Sequence, residues 1–328
     1  MKKKRIVFMG TADFAATILE RLIASDRYEL PFVVSQPDRP VGRKQILMPT
    51  AVKSLALAHG IAVEQPTKLR DGRLAQQLRD ADVDLILTAS YGRLLPVDVL
   101  AASAMPPINI HASLLPKFRG ACPIQMAILE GESETGISFI EMVKEMDAGA
   151  VYRQLRVPIS ERMTSAQLFE ILANTAAEGL IDFLEAYFNS ELSPEPQDPS
   201  EVSFVRMLRK EDGALNFNET AETIDAWVRA FSDWPVTYSI LEDRRIQILA
   251  GQIATDIEVK LEAPGTLVVH NKGLYVACRD AYYQLLQIKP AGSKIQDVRD
   301  VYHVYRSGQR FEFDASVEPV RSTKERQS

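Results

Sequence analysis

Between Arg5 and Gly131 the chain alternates short apolar runs with stretches of helical period, and this alternation restricts its fold more than any other feature. Strands are predicted at Arg5–Met9, Leu30–Ser35, Ile61–Val63, Asp84–Ala89 and Ile108–His111. Helices are predicted at Ala15–Ala24, Ala51–His59, Arg73–Arg79 and Ile124–Glu130, the last stopped by Gly131. Parallel strands need a crossover, and a helix is the usual one. The pattern therefore predicts an α/β, Rossmann-like, mostly parallel sheet covered on both faces. Ligands of such sheets sit beyond the carboxyl ends of the strands. Gly10-Thr11, Ser90-Tyr91-Gly92-Arg93 and Asn109–Ser113 all fall there. The Gly10–Phe14 turn lacks the second and third glycines of a dinucleotide fingerprint, which disfavours an NAD or FAD enzyme, and no P-loop occurs.

The second half reads differently. Thr164–Tyr187 has the spacing of a long amphipathic helix. Glu191–Pro199 then supplies three prolines and several acids, a composition suited to an extended connector. We expect a catalytic unit over 1–189, a linker over 190–209 and a second domain over 210–328. A helix is predicted at Glu222–Ala230. Short strands follow at Val236–Leu241, Arg245–Leu249, Gly265–Val269, Leu274–Ala277 and Tyr283–Ile288, which suggests a small barrel or sandwich.

The 328 residues suffice for two cores, and no apolar run approaches the ~20 residues of a membrane span. Met1–Arg5 is basic, but the apolar stretch behind it is too short for a signal peptide. Two distant cysteines, Cys122 and Cys278, and four scattered histidines suggest a reducing, cytoplasmic setting and no metal site. Cys122 reads as a small buried residue, since no feature supplies it with a base. The net charge of −6 is no nucleic-acid signature, yet residues 266–310 hold seven Lys/Arg against three Asp/Glu. Such a patch can attract a polyanion, as can the early cluster Arg39, Arg43, Lys44 and Lys53.

The densest chemistry lies in Ile108-Asn109-Ile110-His111-Ala112-Ser113-Leu114-Leu115-Pro116. Residues two apart on a strand point the same way, so Asn109, His111 and Ser113 align an amide, an imidazole and a hydroxyl where the strand ends. A strand needed only for burial has no use for that alignment.

These residues belong to a wider set: Gly10-Thr11-x-Asp13-Phe14, Gln36-Pro37-Asp38-Arg39-Pro40-x-Gly42-Arg43, Tyr91-Gly92-x-x-Leu95-Pro96, the Asn109–Gly120 motif, Asp147-x-Gly149, Trp234-Pro235 and Lys289-Pro290-Ala291-Gly292. In this order they resemble the folate-dependent formyltransferase family. The Gln36–Arg43 loop and the second domain resemble its methionyl-tRNA-acting branch. The resemblance covers essentially the whole chain. It implies a Rossmann-like catalytic domain and an OB-like C-terminal β-barrel. It also implies transfer of formyl from 10-formyltetrahydrofolate, a co-substrate, to the α-amino group of methionyl initiator tRNA. No metal or membrane is implied, and a monomer is expected.

The residue types suit that reaction. Asn109 and a protonated or neutral His111 can donate to the oxyanion of a tetrahedral intermediate. Asp147 can orient the imidazole, favour its charged form and help remove the amine's proton, directly or through water. By resemblance, Tyr91, Gly92, Arg93, Leu94 and Leu95, together with Met142 and Met146, form folate-binding segments. Leu114, Leu115 and Pro116 are expected among the folate-binding residues, while Ser113 before them either closes the turn or contacts folate. Phe14 lines a methionine pocket or packs in the core. Arg43, Lys272, Lys289 and Lys294 are expected to contact tRNA. Three departures leave the catalytic groups intact: Ala12 replaces the usual proline, Met146-Asp147-Ala148 replaces Leu-Asp-Thr, and Ser232-Asp233 replaces Asn-Pro. Residues 200–328 carry 17 Lys/Arg against 19 Asp/Glu, so RNA binding would depend on the local basic patch. Two other readings are a formyltransferase acting on a small amine and a non-catalytic tRNA- or folate-binding protein.

Overall fold

The computed structural model describes residues 2–41, 45–255, 257–313 and 320–324. Seven strands form the first sheet, in the spatial order Val151–Pro158, Glu134–Glu141, Ile108–His111, Leu85–Ala89, Ile6–Gly10, Val33–Val34, Val63–Glu64. The last five of these are parallel, and the first two run antiparallel to their neighbours. Alternation along Ile6–Gly10 explains the two layers of helices. Ile6 and Phe8 face a core shared with helices Asp13–Ala24, Ala51–Ala58, Pro123–Leu129 and Ser165–Phe188. Val7 and Met9 face Leu74, Ala75 and Leu78 of the helix Arg73–Asp80 on the other side.

The helix Ser165–Phe188 starts at a capping box: Thr164 Oγ1 accepts from Gln167 N, and the Gln167 side chain accepts from Thr164 N. Such a cap contributes about 1 kcal/mol. Phe183 of this helix stacks on Phe139 with ring centroids 4.1 Å apart, and burying each such large apolar side chain contributes about 1.5–3 kcal/mol.

Two strands of this sheet were not predicted. Glu134–Glu141 is buried on both faces and so shows no alternation. Val151–Pro158 is the edge strand, and its Arg153, Gln154 and Arg156 dilute the apolar signal while guarding the edge. The predicted strand at Leu30–Ser35 shortens to Val33–Val34, where pairing with both neighbours occurs.

The second sheet is antiparallel, in the order Leu267–His270, Gly273–Ala277, Tyr282–Pro290, Arg244–Ile253, Tyr238–Leu241, Phe311–Glu312. Its two edges meet: Leu267 N donates to Gln309 O, Gly308 N to Leu267 O and Phe311 N to Gly265 O. The sheet thus closes into the expected barrel. Closure leaves few unpaired edge groups.

The two units are joined by apolar and ionic contacts. The helix Pro123–Leu129 packs on Ala221–Ala230, within one continuous core. Asp225, 5% exposed, pairs with Arg162 of the first unit and with Arg229, each at 2.7 Å. Arg162 also donates to Gly251 O of the barrel at 2.7 Å.

Candidate active site

The strands Leu85–Ala89 and Ile108–His111 end on one rim, which residues 141–147 and the connector 204–209 complete. They enclose a cavity of about 850 Å³, a size common for small-molecule sites.

Asn109, His111 and Asp147 converge there. The register pairs Thr88 with Asn109, and Thr88 Oγ1 donates to Asn109 Oδ1 at 2.7 Å. That contact aims the amide nitrogen, and Asn109 Nδ2 lies 3.5 Å from Asp147 Oδ1. His111 is 6% exposed, and its Nε2 is 3.0 Å from Phe118 O. A carbonyl can only accept, so Nε2 carries the proton, and the neutral ring would present its Nδ1 lone pair to Asp147. Nδ1 lies 3.8 Å from Asp147 Oδ2. Only a protonated Nδ1 can therefore donate into the cavity.

The Asp147 carboxylate is anchored by Gly120 N, which donates to Oδ2 at 2.9 Å. Asp147 itself has φ 53°, in the left-handed region that Asp tolerates better than most L-residues. Two glycines permit these approaches. A Cβ on Gly149 would stand 1.8 Å from Glu141 O. A Cβ on Gly120 (φ +117°) would stand 2.2 Å from Val205 O, on the connector strand paired to Arg119–Gly120.

Burial pushes the Arg119 guanidinium below its usual range, and the charge of Asp147 opposes that shift. Burial also pushes the Cys122 thiol up to about 12. A thiol so placed stays protonated at neutral pH, so Cys122 borders the cavity as an inert group.

The other sequence-predicted residues separate into groups. Gly92, Leu94, Leu95, Met142 and Met146 line the cavity. Tyr91 also borders it, but its ring belongs to the core on the far side of the sheet, and its carbonyl accepts from Thr11 Oγ1 and Gln36 Nε2. The guanidinium of Arg93 donates to Pro66 O and Thr67 O. Phe14 lines the cavity edge-to-face with Phe169, centroids 5.8 Å apart, while also packing in the core.

Ser113, Leu114, Leu115 and Pro116 do not line the cavity. Ser113 is fully buried and closes the turn by donating to Lys117 O at 2.7 Å. Leu115 N donates to Ser138 Oγ, beneath the sheet's rim. The reason is the strand's own alternation breaking down: the chain turns away immediately after His111.

Lys272, Lys289 and Lys294 are exposed on the barrel, away from this cavity. Lys272 sits in a tight hairpin turn with Asn271, both left-handed, beside a second cavity of about 560 Å³ that Arg299 also lines. Arg43 lies outside the described residues.

Residues 204–209 and Phe169 also line the cavity, and Thr88 orients Asn109. Of these only Thr88 had a local signal, a hydroxyl within an otherwise apolar buried strand.

The formyl transferase family model matches residues 3–184, and the formyl transferase C-terminal domain model matches residues 207–306. A methionyl-tRNA formyltransferase of Enterococcus faecalis is 40% identical over 290 residues, covering 88% of this chain and 92% of that protein. One of Streptococcus pneumoniae is 38% identical over 294 residues, covering 90% and 93%. Among solved structures, the sugar 3N-formyl transferase WlaRD, determined with dTDP and 5-N-formyl-THF, shares the fold at TM-score 0.65 and 15% identity, covering 90% of this chain and 100% of that one. HypX from Aquifex aeolicus, in complex with tetrahydrofolic acid, does so at TM-score 0.63 and 17% identity, covering 92% and 47%.

Proposed function

The chain belongs to the formyl transferase family, and we propose that it transfers the formyl group of 10-formyltetrahydrofolate to the α-amino group of methionyl initiator tRNA. The observation that carries this reading is the convergence of Asn109, His111 and Asp147 on one cavity.

A free α-amino group titrates near ~7.7–8.0, so it needs only modest base assistance to attack the formyl carbon. As the carbon–nitrogen bond forms, negative charge develops on the formyl oxygen. Asn109 Nδ2 is pre-aimed by Thr88 and can receive that charge. His111 can join it through Nδ1 when the ring is protonated, because Nε2 is held by Phe118 O. Asp147 stabilises that imidazolium and accepts a proton from the attacking nitrogen. Collapse then breaks the bond to N10 of the folate, and the proton passes to that nitrogen. No covalent intermediate with the protein is needed.

The apolar wall of Leu94, Leu95, Met142 and Met146 suits a flat heterocycle. Phe14 and Phe169 suit the methionine side chain. Lys272, Lys289 and Lys294 suit phosphates of the tRNA, and Arg43 is assigned to the same partner on sequence grounds.

The test is formylation of charged initiator tRNA by the wild type and by His111→Ala, with elongator tRNA and amino sugars as competing acceptors. The variant is expected to lose on the order of 10²–10³ in rate. Wild-type activity in it, or preference for an amino sugar, sinks the assignment.

A further inference from the structure

Gln197 stands in the connector, between Pro196 and Asp198, in a stretch whose composition suggests only a spacer. Its amide nevertheless uses every hydrogen-bonding capacity it has. Nε2 donates to Asp147 O at 2.8 Å and to Gly149 O at 2.7 Å. Oε1 accepts from Arg119 Nε at 3.0 Å and from Arg119 Nη2 at 2.8 Å. A neutral side-chain amide offers two N–H groups and two oxygen lone pairs, and here all four are matched.

The place of attachment matters. Asp147 holds a left-handed backbone, and its carbonyl and that of Gly149 flank the bend. Gln197 bridges the two carbonyls and so ties the bend at both ends. At the other end of the same residue, Gly120 N holds the carboxylate, and Arg119 is the residue before it. The amide therefore links the two segments that together set where the Asp147 carboxylate stands. Gln197 is itself held, because Val151 and Glu195 exchange backbone hydrogen bonds of 2.8 Å two residues upstream.

We propose that Gln197 is a positioning residue for formyl transfer, fixing the carboxylate of Asp147 against Asn109 and His111 from outside the catalytic fold. The inference rests on the role proposed for Asp147. Gln197 does not touch the reacting atoms. It acts through the geometry of the bend.

Four variants test this by steady-state kinetics with 10-formyltetrahydrofolate and methionyl initiator tRNA. Gln197→Leu removes donor and acceptor together. Gln197→Glu keeps the shape and the contact to Arg119 but replaces the donors with an oxygen facing two carbonyls. Each is expected to lower kcat about 10- to 100-fold, while KM for either substrate moves by less than about twofold. Asp147→Ala is the reference, and adding Gln197→Leu to it is expected to cost nothing further, because the clamp then has no carboxylate to aim.

Wild-type kcat in both Gln197 variants overturns the inference. So does a loss carried by KM, or an additional loss on the Asp147→Ala background. If Gln197→Leu does not fold, Gln197→Glu carries the comparison alone. A wild-type rate in Asp147→Ala overturns the reading of Asp147 itself, and the clamp with it.

Discussion

The cavity rim and the barrel face hold their proposed functional groups in opposite ways. At the rim, each polar atom has a partner that sets its direction: Thr88 for Asn109, Phe118 O for His111, Gly120 N for Asp147. On the barrel, Lys272, Lys289 and Lys294 are exposed side chains on turns and a strand, with no hydrogen bond or ion pair to another described residue. Chemistry at one carbon needs fixed geometry, whereas attraction of a polyanion needs only positive charge near its path. The rim should therefore be intolerant of single changes, and the barrel face should respond gradually.

The largest effect is expected from Asn109→Ala, which removes the amide aimed by Thr88. It should lower kcat on the order of 10²–10³-fold with little change in KM, as measured by single-turnover formylation. An effect no greater than that of one barrel lysine would erase the contrast.

Next comes Gly120→Ala. Its Cβ would meet Val205 O and would occupy a left-handed φ, so a loss of about 1–3 kcal/mol in stability is expected, together with reduced kcat. Thermal unfolding and kinetics on the same sample check it. A drop in stability with unaltered turnover would mean that Gly120 N does not help place the carboxylate.

The triple variant Lys272→Ala, Lys289→Ala, Lys294→Ala should raise KM for tRNA and leave kcat intact. If all three meet phosphates, the slope of log affinity against log salt should fall by about 2–3. A kcat effect instead would place the barrel in the chemistry and blur the distinction. The smallest change is expected from Cys122→Ala. The thiol is pushed up to about 12 by burial and donates to Arg206 O. Formylation should stay near the wild-type rate, whatever loss of about 1 kcal/mol its missing contact brings to stability.

The same contrast explains what could be read from the chain beforehand. Asn109, His111 and Asp147 stand in motifs because their placement demands particular neighbours, such as Gly149 pressed against Glu141 O. The parallel order of the sheet follows from alternating apolar runs that local composition reveals. Gln197 and the cavity wall at 204–209 act across long separations, and nothing in their neighbourhood signals a partner near residue 147 or 120. Ser113 shared the strand spacing of His111 but not its destination, since the chain had already turned. Spacing along a strand predicts a direction only while the strand lasts. Glu134–Glu141 shows the converse: burial on both faces removed the alternation that would have revealed it.

Asp225 has a consequence for how the molecule meets a large substrate. It is buried where the two units touch, with one arginine from each, and stripping a partner from a buried carboxylate is unfavourable. Swinging the barrel away from the sheet would do just that. On the role proposed for the lysines, their distance from the rim is accordingly a built-in ruler, and an RNA touching both ends would have to match its span rather than bend the protein to suit.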